Sequence, residues 1–187
     1  MRTTVSISRR NAADGRYGAV ASGLHWLVLA LLIVQFAVAW TMPNIRRGTP
    51  DTGLIAWHLS LGTTILAVML LRLAWRLTHT PPPPPADLPA PLRLLSRAVQ
   101  WLLYAILIAL PVLGWINASA RGYVVRLFAA IPLPQLVATG NKFGQAMGDL
   151  HGTVALVLLG VIGLHVLGAL YHTLILRDGL LRRLAVD

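Results

Sequence analysis

Residues 150–176 read LHGTVALVLLGVIGLHVLGALYHTLIL, and this stretch decides the fold. It contains no Asp, Glu, Lys or Arg; the only groups in it that titrate near neutrality are His151, His165 and His172. A helix rises 1.5 Å per residue, so about 20 apolar residues cross the hydrocarbon layer of a bilayer. Three other runs are similar. Residues 19–41 and 98–120 carry no charge, and residues 54–71 carry none until Arg72 and Arg76 arrive. The pattern predicts transmembrane helices at about 19–41, 54–77, 98–118 and 150–176. It predicts one all-α membrane domain, residues 1–187: an integral membrane four-helix bundle running up-down-up-down, with a long outer loop over 119–149.

Composition leads to the same place. Hydrophobic types make up 56% of the 187 residues and charged types 12%. Soluble domains average about 25% charged residues, so this chain could not cover a water-facing surface. Disorder requires low hydrophobicity and is excluded. There is no cysteine, which removes disulfides, iron–sulfur clusters, thiolate zinc sites and thioether-attached haem.

The net charge of +10 has to be located before it is interpreted. Arg2, Arg9, Arg10 and Arg16 precede the first run. Arg72, Arg76, Arg93 and Arg97 flank the middle connection, and Arg177, Arg182 and Arg183 follow the fourth run. The opposite side has Arg46, Arg47, Arg121, Arg126 and Lys142. Eleven bases against five place both termini and the middle connection in the cytoplasm. The bases therefore record orientation and lipid contact, and no motif supports nucleic-acid binding. With Asp51 and Asp149 the outer side keeps an excess of positive charge. That excess could steer a small anion such as superoxide, or meet anionic lipid or an acidic partner.

Ser8-Arg9-Arg10 and Ala37-Val38-Ala39 give the first run some likeness to a cleaved export signal. Its apolar segment exceeds the 7–15 residues of such signals, so it reads as a retained helix. Pro81–Pro85 is a helix stop and stiff spacer. In the outer loop, Tyr123 to Phe128 is amphipathic enough to lie in the membrane interface, and Asn141 to Asp149 can extend the fourth helix beyond the membrane.

Histidine is rare inside membranes and usually faces a bundle interior with a function. Fourteen residues separate His151 from His165. That is about 1400° of helical turn, close to four whole turns, so the two share one face about 21 Å apart. The fourth helix descends, which puts His151 at an outer level and His165 at an inner one. The first helix rises, so His25 is at the inner level; the second descends, so His58 is at the outer level. The four sort into two pairs, His25 with His165 and His58 with His151. Two imidazoles on facing helices, with no thiolate or carboxylate between them, suit the two axial faces of a b-type haem held in a bundle core. A haem-free His-based metal or proton transporter is the alternative of another class, but the pairs lie too far apart for one ion site.

The sequence resembles the bacterial cytochrome b561 family. The residues that carry the resemblance are Leu24-His25-Trp26, Trp57-His58, Val68 to Leu73 with Arg76 and the prolines after it, Tyr104 with Ala109 to Gly114, and His151 through Gly163-Leu164-His165, His172 and Arg177 to Arg183. The resemblance implies a bacterial inner-membrane protein with two haem b groups. It implies that His25 and His165 ligate an inner haem, and His58 and His151 an outer one. It further implies electron exchange between a quinone such as ubiquinone and a donor. Some relatives resemble superoxide:quinone oxidoreductases, which would make the chain an oxidoreductase. A same-class alternative is the cytochrome b anchor of a dehydrogenase or hydrogenase.

The resemblance assigns His172 no axial role and leaves it to a haem propionate or the quinone. Arg72 and Arg76 are of the type that pairs propionates, or they snorkel to phosphate. Trp26, Trp57, Trp75 and Trp101 fit an interfacial belt. Tyr104 and Pro111 are shape or pocket residues of the third helix, and His79 is a solvated loop residue.

Overall fold

Four long helices form where the apolar runs lie. A computed structural model describes residues 16–46, 48–83 and 88–184. The orientation charges Arg2, Arg9, Arg10 and Arg47, the Ser8-Arg9-Arg10 motif, and Pro84 and Pro85 lie outside the described residues. The helices are α1 (Ala19–Thr41), α2 (Leu54–Thr78), α3 (Ala90–Ala120) and α4 (Lys142–Leu170). A π-helical turn, Tyr171–Leu176, continues α4, and a 3-10 turn follows at Leu180–Leu184. All four long helices are apolar enough to cross a membrane. The chain is an all-α four-helix membrane bundle in which consecutive helices pack together.

Two helices start earlier than the apolar runs suggest. The third begins at Ala90 rather than near 98, with Pro91 in its first turn, where a missing N–H is harmless. Arg93 and Arg97 are good helix formers; they end the membrane span without ending the helix. The fourth begins at Lys142. Asn141 caps it, its side-chain oxygen accepting from the Gly144 N–H at 2.9 Å, a favoured N-cap arrangement. At its outer end α4 lies close against α3: a Cβ built on Gly144 would stand 2.6 Å from the Ala120 Cβ. Glycine permits that approach.

The bundle core is small and central. Val28 of α1, Ile65, Val68 and Met69 of α2, Tyr104, Ile106 and Leu107 of α3, and Leu158 of α4 form one buried cluster. Leu158 is completely buried and lies seven residues from both His151 and His165, so an apolar layer separates the two histidine levels. The outward faces are equally apolar. Ile33, Leu71, Leu77, Leu156 and Leu167 are 63–71% exposed, which in water would be an aggregation surface and in lipid is the expected exterior.

In the outer connection the Tyr123–Phe128 segment leads into a short hairpin. Arg126–Leu127 (β1) pairs antiparallel with Ile131–Pro132 (β2). Phe128 and Ala129 turn the chain at φ 52° and 57°, the left-handed values that a tight hairpin turn requires. The turn is pinned to α2, with the Ala129 N–H donating to Ser60 Oγ at 2.7 Å and Thr63 Oγ1 donating to the Arg126 carbonyl at 3.2 Å. The alternation of Val125, Leu127 and Phe128 with Arg126 serves a strand as readily as a helix at this length.

The ends of the bundle are named inner and outer after the charge-based expectation. At the inner end the Tyr17 N–H donates to the Arg183 carbonyl at 2.9 Å. Trp26 Nε1 donates to the Leu184 carbonyl at 3.0 Å, so Trp26 ties α1 to the final turn.

Candidate functional site

Helix α4 carries a histidine at each of two depths, and each meets a histidine from another helix. At the inner level the ring centres of His25 (α1) and His165 (α4) are 6.3 Å apart with an interplanar angle of 62°. At the outer level His58 (α2) and His151 (α4) are 6.0 Å apart at 78°. All four are partly buried. Among the described residues no group of three or more His, Asp or Glu could hold a bare metal ion. The arrangement is two pairs, one at each depth.

The surroundings of each ring are specific. His151 Nδ1 lies 2.9 Å from the Leu110 carbonyl. A carbonyl only accepts, so Nδ1 carries the proton and Nε2 keeps its lone pair. Pro111, next in sequence, cannot donate to the carbonyl one turn before it and its ring crowds that turn, which disturbs α3 where the histidine docks. Gly114 leaves room for the same ring: a Cβ there would stand 3.0 Å from His151 Cε1 and 3.1 Å from Nδ1. His58 Nδ1 is buried and has no partner among the described residues. At the inner level Arg72 Nη2 lies 3.1 Å from His25 Nδ1, and Arg72 Nε donates to the Tyr104 hydroxyl at 3.2 Å.

The prokaryotic cytochrome b561 family model matches residues 16–185. The chain belongs to that family. A probable superoxide oxidase, CybB, of Yersinia pestis is 32% identical over 174 residues, 90% of this chain and 95% of that protein. Cytochrome b561 homolog 2 of Escherichia coli strain K12 is 26% identical over 175 residues, 90% of each. This cytochrome is therefore a multi-pass bacterial membrane protein that carries b-type haem and transfers electrons.

The histidine pairs of the cytochrome fit such a group. An imidazole nitrogen binds a metal at about 2 Å, and two rings on opposite sides of one iron then have centres a little over 6 Å apart, the separation seen in both pairs. The free Nε2 of His151 and the carbonyl on its other nitrogen are the usual environment of a metal-binding histidine. His25 differs. Arginine only donates, so in this geometry His25 Nδ1 accepts and its proton sits on Nε2. Binding iron through Nε2 requires the proton to move to Nδ1 and the guanidinium to turn elsewhere.

Other expected residues are placed as follows. Arg72 points into the bundle, to His25 and Tyr104, and does not snorkel outward. Arg76 lies with its guanidinium carbon 5.7 Å from the centre of the Trp101 ring, a cation–π distance, and away from the His25–His165 pair's direct contacts. His172 sits in the π-helical turn, and its Nδ1 is hydrogen-bonded to the Asp178 carboxylate. His79 is exposed and stacks on Trp75 at 3.6 Å. Sequence reasoning passed over Gln35, whose side-chain Nε2 donates to the His58 carbonyl at 3.1 Å, and Asp178 as the partner of His172. The signal for Asp178 was its place six residues after a membrane histidine; a lone Gln in α1 gives no comparable signal.

Proposed function

We propose that this cytochrome carries electrons through the bacterial inner membrane between a donor on its outer side and a quinone on its inner side. It does so with two haem b groups, one ligated by His25 and His165 and the other by His58 and His151. The single observation that carries the reading is the pair of imidazole couples at two depths, each spaced for one iron. When bound, the haems would supply one-electron chemistry. The protein holds the rings, keeps water out with the Leu158 layer and sets the depth of each pair.

Superoxide is the donor that the name of the Yersinia pestis relative suggests. A cleft at the outer end of α2 is where such an anion would meet the protein. Asp51, Trp57, Ser60, Val124 and Arg126 line it, and Trp57 directly precedes His58. Asp51 accepts from the Val124 N–H at 3.0 Å, and Arg126 supplies the positive charge that would meet a small anion. At the inner end Arg72 is placed to leave His25 Nδ1 for a haem propionate, with Tyr104 keeping hold of its Nε. His172, oriented by Asp178, presents Nε2 for a quinone carbonyl and can hand over the proton that quinone reduction consumes. The positive-inside distribution of the bases supports a cytoplasmic position for both termini.

The test is haem content with the reduced-minus-oxidised spectrum of detergent-purified protein. Two haems per chain are expected, and His58→Ala or His165→Ala should each leave one. Two haems surviving either change would refute the ligand pairs. Reduction of the oxidised protein by superoxide, followed optically with a quinone present as acceptor, tests the donor; no response removes superoxide.

A further inference from the structure

Two buried side-chain atoms that lack a partner among the described residues face the same space. They are Gln35 Oε1 and His58 Nδ1. Both residues line a cavity of about 230 Å³ that His151 and Gly114 also border. The two atoms are complementary. An amide oxygen only accepts, and a neutral imidazole that binds metal through Nε2 has its proton on Nδ1 and is a donor there. Gln35 is already anchored at the right place, because its Nε2 donates to the backbone carbonyl of His58 itself. Gly62, one turn along α2, borders the amide: a Cβ there would make an ordinary contact of 3.5 Å with Gln35 Nε2. The opposite ring is served differently, since His151 Nδ1 has the Leu110 carbonyl. Of the outer pair only His58 lacks an acceptor in this geometry, and an unused one belongs to the residue that grips its backbone.

We propose that Gln35 is a positioning residue of the outer site: its side-chain carbonyl accepts the His58 Nδ1–H, by a small rotation of the amide or through one bridging water. A water there would have the two polar partners it needs. The bond fixes the ring's rotation about Cβ and makes the imidazole a stronger donor to iron, which favours the oxidised state. The proposal rests on His58 being an axial ligand.

The experiment compares purified haem-loaded wild type with Gln35→Met, similar in length but with no amide acceptor, and Gln35→Glu, which keeps the shape and the acceptor oxygens. Three quantities are read: haem per chain, the midpoint of each haem by optical redox titration, and the low-spin electron paramagnetic resonance signals. In Gln35→Met the redox equilibrium of one haem should move about tenfold towards the reduced state, which is about 59 mV for one electron. Its resonance signal should change and the other haem should keep its midpoint. Gln35→Glu should not move in that direction. Two haems with unaltered midpoints and signals in Gln35→Met would overturn the proposal. If Gln35→Met loses the outer haem, Gln35→Glu decides: retention supports an acceptor role, and loss from a chain that keeps its inner haem overturns it. A His58→Ala chain that keeps both haems overturns the ligand reading, and this proposal with it, by a result no Gln35 variant can produce.

Discussion

Gly114 shows what a single absent methyl group does. His151 is held by the Leu110 carbonyl on one side, so its ring cannot retreat from a neighbour at 3.0 Å. Gly114→Ala is therefore an overpacking change of about 1–3 kcal/mol, directed at one ring. It should lower haem content towards one per chain and leave the His25–His165 site loaded, as read from haem per polypeptide and the remaining spectrum. Retention of two haems with unchanged spectra would show that the ring has more freedom than its hydrogen bond implies. The identities of the four paired histidines were legible in the sequence, because ionisable groups are rare in apolar helices and their spacing is arithmetic. Their companions were not. The Leu110 carbonyl is backbone, Gly114 has no side chain to announce a role, and Gln35 acts across a helix contact that no periodicity encodes.

At the scale of elements, an apolar run measures the part of a helix inside lipid and not the helix itself. This is why the start at Ala90 escapes a hydropathy reading while the spans do not, whereas the extension of the fourth helix over Asn141 to Asp149, expected from the sequence, is present from Lys142. Capping residues such as Asn141 carry the missing information. The hairpin was less legible still. Its turn places two non-glycine residues, Phe128 and Ala129, at positive φ, and neither residue type signals such a turn. Left-handed backbone costs an L-residue roughly 1–2 kcal/mol, held here by hydrogen bonds to Ser60 and Thr63. Ala129 is exposed, so Ala129→Gly gives up little packing. It should stabilise the protein by about 0.5 kcal/mol after the entropy of glycine is counted. Ser60→Ala should destabilise by about 1 kcal/mol. Thermal unfolding of both variants in one detergent checks the opposite signs. The π-helical turn at Tyr171–Leu176 likewise has no sequence signature, although such turns gather at functional positions and this one carries His172.

For the whole molecule, alternating helix direction and one helix's angular arithmetic were enough to foresee two depths of histidine in a four-helix bundle. The physical reason is that membrane spans are nearly straight and their lengths are fixed by the bilayer. Orientation rests on the bases alone. Reporter fusions after Asp187 and in the 133–140 segment should mark the C-terminal end as cytoplasmic and the loop as external; the reverse result would invert the inner and outer assignments and place the proposed quinone contact at the wrong face. The two depths also demand register. Inserting one residue between His151 and His165 rotates the following part of α4 by about 100°, so at most one pair can survive, and one haem per chain is the expected content.

Helix α4 is the last of the four spans and stands on one side of both histidine pairs. A ribosome that has delivered α1 to α3 into the bilayer has supplied His25 and His58, each without its counterpart. Neither couple can close until the final span enters beside the others. On the proposed ligand pairs, biogenesis of the two centres is then a late and nearly simultaneous event, and a chain arrested before residue 151 carries half of each pair and the whole of neither.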